Sequence, residues 1–439
     1  MRSHSDSALV SYPVSSPLSG TLDLPGDKSI SHRALMFSAI ADGNSELTGV
    51  LEGEDCLRTA DALRALGVKI QRIDGGHFRV RGVGLRGLRG SDEPLDFGNS
   101  GTGMRLMSGL LAAQHFNSIL VGDASLSARP MRRVTDPLNG MGACIETVDG
   151  HAPIRITAAP SLSGIQYHLP IASAQLKSAL LIAGLFAEGR TILGVDAPSR
   201  DHTERMLSAM GAQLTQADGS ISIEPCHHLD AKDVSVPADL SSAAFFLVAA
   251  SILPDSALSL PGVGVNPTRD GVVSILEMMG ANIEKRSERL VCGEPVADLY
   301  VRSSPLRGVE VPAQLVPLAI DEFPVLFIAA ACAEGTSAFS GLAELRHKES
   351  DRITAMTTGL RALGIVVEEG EDWVRITGGR FSSGEVHSHG DHRIAMAFAI
   401  AASMARGPIS IREPENIATS FPTFSELAAQ AGLNLEYDA

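Results

Sequence analysis

Apolar residues along this chain fall into two kinds of run, and the two alternate. The first kind is unbroken. In "PGDKSISHRALMFSAIADG", Pro25 to Gly43, the stretch from Ala34 to Ile40 carries no charge. An amphipathic surface helix spreads its polar residues along one stripe for its whole length. The pattern here instead predicts a helix buried from end to end, with Lys28, Ser29, His32 and Arg33 gathered at its entrance. "SGTGMRLMSGLLAA", "SAQLKSALLIAGLFA", "DLSSAAFFLVAASI", "DEFPVLFIAAACA" and "DHRIAMAFAIAASMA" have the same form. Strand-like runs follow them, among them "SELTGV", "SILVGD", "TILGV" and "TSAFSG".

The second kind is periodic and ends in one signature: two small or aliphatic residues three apart, then glycine. It occurs as "LRALGVKI", "LNGMGACI", "LSAMGAQL", "LEMMGANI", "LRALGIVV" and, more weakly, "AAQAGLNL". Gly67, Gly142, Gly211, Gly280, Gly364 and Gly432 each suit the left-handed residue that closes a helix before a strand. The copies lie about 70 residues apart, longer than the usual solenoid period. Each unit therefore reads strand, buried helix, strand, amphipathic helix, then paired strands. Three units per domain predict an α/β protein of two similar domains, each of three βαβαββ repeats around buried helices.

Length supports that division, since 439 residues exceed one ordinary core. Aromatics make up only 4% of the chain. Small aliphatic residues must fill the interior, so helices can approach closely. A net charge of -15 argues against nucleic-acid or anionic-membrane partners, which call for a basic face. Cys56, Cys144, Cys226, Cys292 and Cys332 form no C-x-x-C pair and read as reduced core residues. The start, "MRSHSDSALVSYPVSSPLSG", lacks the apolar run of a signal peptide, and a cytoplasmic protein is expected.

Charge changes the picture where it clusters. Buried helices in a shared orientation would point their N-termini, with unpaired N–H groups and partial positive charge, toward one cleft between the domains. Lys28, Arg33, Arg105, Arg129, Lys177, Arg200, Lys348, Arg352 and Arg393 lie in or beside the helix-start motifs. A net-acidic chain with cations so placed is suited to small, multiply charged anions, because arginine donates two parallel hydrogen bonds to carboxylate or phosphate. "FGNSGTGMR" adds Gly101 and Gly103, which let backbone N–H groups approach an anion. Asp321 and Glu322 in "IDEFP", and Glu349 in "RHKESDR", are candidate acids or bases, with ion pairing as the alternative. "GVGLRG" matches a dinucleotide-binding pattern but precedes no apolar helix. His387, His389 and His392 lack the spacing of a structural zinc site, and no metal is expected.

Taken together, "LPGDKSISHRA", "GNSGTGMR", "SAQLKSALL", "DEFP", "RHKESDR" and "GDHRIAM" resemble the 5-enolpyruvylshikimate-3-phosphate synthases, in order from about Leu18 to Pro422. The resemblance implies the enolpyruvyl transferase fold, crossed near Pro25 to Gly26 and near Pro237 to Asp239. A lower domain would hold residues 1–25 and 238–439, and an upper domain 26–237. It implies transfer of the enolpyruvyl group from phosphoenolpyruvate to the 5-hydroxyl of shikimate 3-phosphate, by addition and elimination through a tetrahedral intermediate. Neither a metal nor an organic cofactor is implied, and a monomer is expected. By resemblance, shikimate 3-phosphate would meet Lys28, Ser29, Arg33, Ser173, Ala174, Gln175, Arg200, Asp321 and Lys348. Phosphoenolpyruvate would meet Lys28, Gly101, Arg129, Gln175, Arg352 and Arg393. Asp321, Glu349 and Lys28 would be catalytic: Asp321 as base on the 5-hydroxyl, Glu349 at the methylene carbon. Lys348 would bridge the two substrates.

Three positions resemble a second, often glyphosate-tolerant branch of that family. Ala174 stands where many members have serine, Arg200 where many have tyrosine, and Thr419 where many have lysine. Gly101 points the other way, because the best-known tolerant members carry alanine there. Two rivals remain at this level. A UDP-N-acetylglucosamine enolpyruvyl transferase shares the fold but usually carries a loop cysteine and lacks the "DKSISHR" start. A non-catalytic anion-binding protein on the same scaffold would release no phosphate.

Overall fold

Six helix ends set the frame. In the computed structural model, which describes residues 7–438, the six signature glycines all have positive φ, from 85° at Gly364 to 105° at Gly432. In each, the next residue reaches back five positions: the Val68 N–H donates to the Leu63 carbonyl at 3.1 Å, and the Leu433 N–H to that of Ala428 at 2.8 Å. This is the Schellman closure, with the apolar pair at its two ends explaining why the signature holds leucine and a small aliphatic residue.

The helices closed this way are Glu54–Ala65, Arg132–Gly140, His202–Ala209, Gly271–Met278, Arg352–Ala362 and Phe424–Ala431. Inside them lie the largely apolar helices Lys28–Ala39, Gly101–Leu111, Ala174–Gly184, Leu240–Ile252, Phe323–Cys332 and His392–Ala402, whose few cations fall in their first two turns. All of Leu240–Ile252 is buried, as is Lys28–Ala39 from Ile30 onward. Small residues make the close packing possible. A Cβ on Gly109 would lie 2.3 Å from the Ala179 carbonyl oxygen of the neighbouring helix.

The chain divides into two units. One runs to Pro25 and again over Pro237–Leu290 and onward from Pro295; the other comprises Gly26–Val236 and Val291–Glu294. Each has its own apolar core. Relative to the expected boundary, Pro237 changes sides. The reason is local pairing: the Val236 N–H donates to the Thr48 carbonyl at 2.8 Å, and that of Ala238 to Gly262 at 2.9 Å. The hairpin tip Val291–Glu294 joins the second unit through Glu294, which meets His202 at 2.8 Å.

Each repeat builds a small sheet. Leu95–Asp96 runs parallel to Ser118–Val121, which pairs antiparallel with His151–Thr157, and that strand pairs with Cys144–Val148. The chain does not supply the strands in simple order, however. Val234–Ser235 returns to lie parallel to Leu47–Thr48 and completes the first repeat's sheet. Ser19–Thr21 opens the fourth, parallel to Ala257–Ser259. Ala8–Tyr12 sits between Ile409–Arg412 and Asn434–Asp438 in the last. The fifth repeat keeps three strands, with single bridges from Arg307 and Glu310 in place of a first one. Among the described residues no helix is long and apolar enough to cross a membrane. The five cysteines are free, but Cys144 and Cys292 are exposed, which corrects the expectation that all are core residues. Both flank turns at strand ends, where a small side chain need not be covered.

Candidate active site

In the Gly26–Val236 unit, the starts of the three inner helices carry the expected residues. Asp27 caps the first helix, its carboxylate accepting from the Ile30 N–H at 2.9 Å. Lys28 then leads the helix and pairs with Asp55 at 3.1 Å. Ser29 follows on the first turn, partly buried. His32 is wholly buried between hydroxyls, Nδ1 2.9 Å from Thr59 Oγ1 and Nε2 3.5 Å from Ser100 Oγ. Burial, reinforced by the charges of Lys28 and Arg33, pushes its pKa down to about 3. It is a neutral link between helices.

Arg33 is also buried. Its Nε donates to Thr203 Oγ1 at 2.7 Å, Nη1 to the Ser29 carbonyl at 2.8 Å, and Nη2 to Ser178 Oγ at 2.7 Å. Burial pulls its pKa to about 10 despite the nearby carboxylates Glu204 and Asp27, with Arg200 adding to the fall. The guanidinium therefore stays charged at neutral pH and is locked in place. Arg200 itself is partly buried in the segment before the His202–Ala209 helix. Lys177 differs from expectation as a site cation: it is buried, 2.6 Å from Glu204, and donates to the Ser199 carbonyl at 3.0 Å. A buried cation needs such a partner, so it serves the fold.

A second group gathers around Gly101, at the start of the helix that Ser100 caps. Arg105 Nη1 donates to Gln175 Oε1 at 2.9 Å, and Gln175 Nε2 donates to Thr102 Oγ1 at 2.9 Å. Arg105 Nη2 also holds the Pro130 carbonyl at 3.2 Å. Arg129, next to that proline, donates to Asn99 Oδ1 at 2.5 Å. Ser173 caps the third helix by accepting from the Leu176 N–H at 3.3 Å, and Ala174 is that helix's first residue. The Arg105–Gln175 bond was not foreseen from the sequence, although both residues sit in quoted motifs.

The other unit holds a network centred on Arg352, the first residue of its helix and 1% exposed at the side chain. Its Nη2 lies 2.6 Å from Glu349 Oε2, its Nε 2.8 Å from Asp391 Oδ2, and its Nη1 3.4 Å from Asp321 Oδ1. Burial works against its charge, but Asp391, Glu349 and Asp321 outweigh it and hold its pKa above the ordinary value. Lys348 Nζ reaches the same Asp321 oxygen at 3.2 Å. Arg393 Nη1 donates to the Asp321 carbonyl at 3.0 Å and lies 3.4 Å from Glu322 Oε1. Asp321, Lys348, Glu349, Arg352 and Arg393 thus form one connected cluster of two acids and three cations.

The chain matches the family described as EPSP synthase (3-phosphoshikimate 1-carboxyvinyltransferase) over residues 13–427. The 3-phosphoshikimate 1-carboxyvinyltransferase of Alkalilimnicola ehrlichii is 57% identical over 420 residues, 95% of this chain and 94% of that protein. That of Xanthomonas campestris pv. campestris is 55% identical over 419 residues, 95% and 96% of the two chains. The EPSP synthase structure from Acinetobacter baumannii covers 99% of this chain and 100% of its own, at 49% identity and a TM-score of 0.90.

This chain belongs to the EPSP synthase family. Membership removes both rivals left by the sequence. Asp391 and Asp55, which orient Arg352 and Lys28, are the residues that sequence reasoning passed over. Asp391 was legible as the first acid of "GDHR"; Asp55 carried no signal, lying 27 residues from its partner. The tempting "HSHGDHR" histidines divide, with His387 and His389 rings 6.0 Å apart and His392 buried at the helix start.

Proposed function

We propose that this chain transfers the enolpyruvyl group of phosphoenolpyruvate to the 5-hydroxyl of shikimate 3-phosphate and releases phosphate. The observation that carries the chemistry is the pair of carboxylates, Asp321 and Glu349, set on one buried guanidinium at 3.4 and 2.6 Å. Asp321 takes the proton of the 5-hydroxyl as that oxygen bonds to C2 of phosphoenolpyruvate. Glu349 protonates the C3 methylene, giving the tetrahedral intermediate. Glu349, now ionised, takes back a C3 proton and re-forms the double bond as the C2–O bond to phosphate breaks, and the proton held by Asp321 leaves with the phosphate. Lys348, on Asp321, spans the two substrates.

Both substrates are multiply anionic. In this reading Lys28, Gly101, Arg129, Gln175, Arg352 and Arg393 take phosphoenolpyruvate. Lys28, Ser29, Arg33, Ser173, Ala174, Gln175, Arg200, Asp321 and Lys348 take shikimate 3-phosphate. Preorganised cations of this kind stabilise developing charge without reorganising at the moment of reaction. The enzyme would act as a monomer in the cytoplasm, where five free cysteines stay reduced. The test is phosphate release by the purified chain with both substrates. Release that depends on each substrate is expected, and none at saturation would sink the reading.

Ala174, Arg200 and Thr419 favour the glyphosate-tolerant branch, and Gly101 tempers it, so intermediate sensitivity is proposed. A Cβ at Gly101 would lie 2.9 Å from Arg105 Nη1 and 3.3 Å from Arg129 Nη1. Both are flexible side-chain ends, so the methyl can be admitted only by moving cations. Glyphosate is longer than phosphoenolpyruvate and needs more of that space. Gly101→Ala should weaken glyphosate by about one to two decades, the cost of overpacking, with a smaller rise in the phosphoenolpyruvate KM. Inhibition constants for both forms decide it; equal weakening of both ligands would show that Gly101 does not border the space where they differ.

A further inference from the structure

We propose that Glu322 is a positioning residue for Arg393, held in place by a buried hydrogen-bonded chain that starts at Asp239. The inference rests on the proposal that Arg393 binds phosphoenolpyruvate. Glu322 directly precedes the Phe323–Cys332 helix, yet its side chain makes no capping bond there. Its side chain is 1% exposed. Oε2 has no hydrogen-bond partner among the described residues, a costly arrangement for a buried carboxylate. Neither capping nor solvation accounts for it.

Its other oxygen is fully engaged. Oε1 accepts from Ser241 Oγ and lies 3.4 Å from Arg393 Nη1. Ser241 Oγ in turn accepts from Arg269 Nη2, and the same nitrogen donates to Asp239 Oδ1 at 2.7 Å. Ser242 Oγ donates to the second Asp239 oxygen at 3.0 Å, and the Asp239 N–H donates to the Pro25 carbonyl at 2.9 Å. One hydroxyl that both donates and accepts therefore couples an anchored arginine to the carboxylate beside Arg393. Asp239 and Ser241 open the Leu240–Ile252 helix, Glu322 the second inner helix of this unit, and Arg393 the third. The chain thus ties three helix starts together. Arg393 Nη1 is fixed by the Asp321 carbonyl on one side and by Glu322 on the other.

Charge and position predict opposite signs. If Glu322 merely offset the charge of Arg393, removing its charge would tighten the binding of an anion. If it positions the guanidinium, removal weakens binding. Steady-state kinetics of the full chain, varying each substrate separately, reads the difference. Glu322→Gln should raise the phosphoenolpyruvate KM by about 10-fold while the shikimate 3-phosphate KM stays within about twofold. Ser241→Ala should move the same constant in the same direction, and it carries the test if Glu322→Gln does not fold. Added to Arg393→Lys, Glu322→Gln should cost less than about twofold more, because the group it positions is already altered. A fall or no change in the phosphoenolpyruvate KM, equal changes in both constants, or full additivity with Arg393→Lys would overturn the inference. If Arg393→Lys alone leaves that KM unchanged, the donor-site assignment of Arg393 fails instead.

Discussion

Glu349→Gln is expected to lower turnover by about 100-fold or more while shikimate 3-phosphate still binds within about twofold. Glutamine keeps the size of the side chain and can still accept from Arg352 Nη2, now 2.6 Å from the carboxylate. It cannot carry a proton to or from the methylene carbon. Arg352 keeps Asp391 at 2.8 Å and Asp321 at 3.4 Å, so its buried charge remains compensated. A loss of this size, about 2.7 kcal/mol of transition-state stabilisation, would therefore report chemistry rather than collapse. Single-turnover rates with isothermal titration of shikimate 3-phosphate make the measurement. Near-normal turnover would reduce Glu349 to an ion-pair partner of Arg352.

The second large effect is on stability in acid. His32 has both ring nitrogens against hydroxyls and a pKa near 3 in the folded chain, below the ordinary 6.5. Between those values the unfolded chain binds a proton that the folded chain refuses. Stability must fall as pH drops from 6.5 toward 3, by about 1.4 kcal/mol per pH unit from this residue alone. Above pH 6.5 the residue is neutral in both states and contributes no slope. His32→Gln removes the titration but not the polar contact. The wild-type chain should thus lose its advantage over the variant by about 2 kcal/mol between pH 6.5 and 4.5. Urea unfolding at several pH values tests this, and parallel stability profiles for the two proteins would refute it.

What the sequence made legible was local. A Schellman closure is decided within seven residues, so all six helix ends could be placed at Gly67, Gly142, Gly211, Gly280, Gly364 and Gly432. The buried helices were equally plain, because burial on every side leaves no polar stripe. Strand assembly was not legible: nothing near Val234 announces that it pairs with Leu47. Cations at the helix starts were visible as residues, but their duties were not. Lys177 is taken up by Glu204, and Arg33 by Thr203, 170 residues away in the chain. Whether a cation meets a ligand or a buried acid depends on such distant partners. Sequence spacing gives no access to them.

The strand Ala8–Tyr12 has a consequence for biosynthesis. It leaves the ribosome long before its neighbours, Ile409–Arg412 and Asn434–Asp438. Tyr12 Oη reaches Glu436 Oε2 across 424 residues of chain. At ordinary elongation rates that partner arrives about 20 to 85 s later. The Gly26–Val236 stretch, by contrast, contains nearly all of its own unit and can fold while translation continues. Until those partners emerge, the N–H and C=O groups of the early strand are unpaired. Nascent chains of this protein therefore carry a strand with both edges unpaired while the intervening chain is made, the feature that chaperones bind and that crowded polysomes would aggregate.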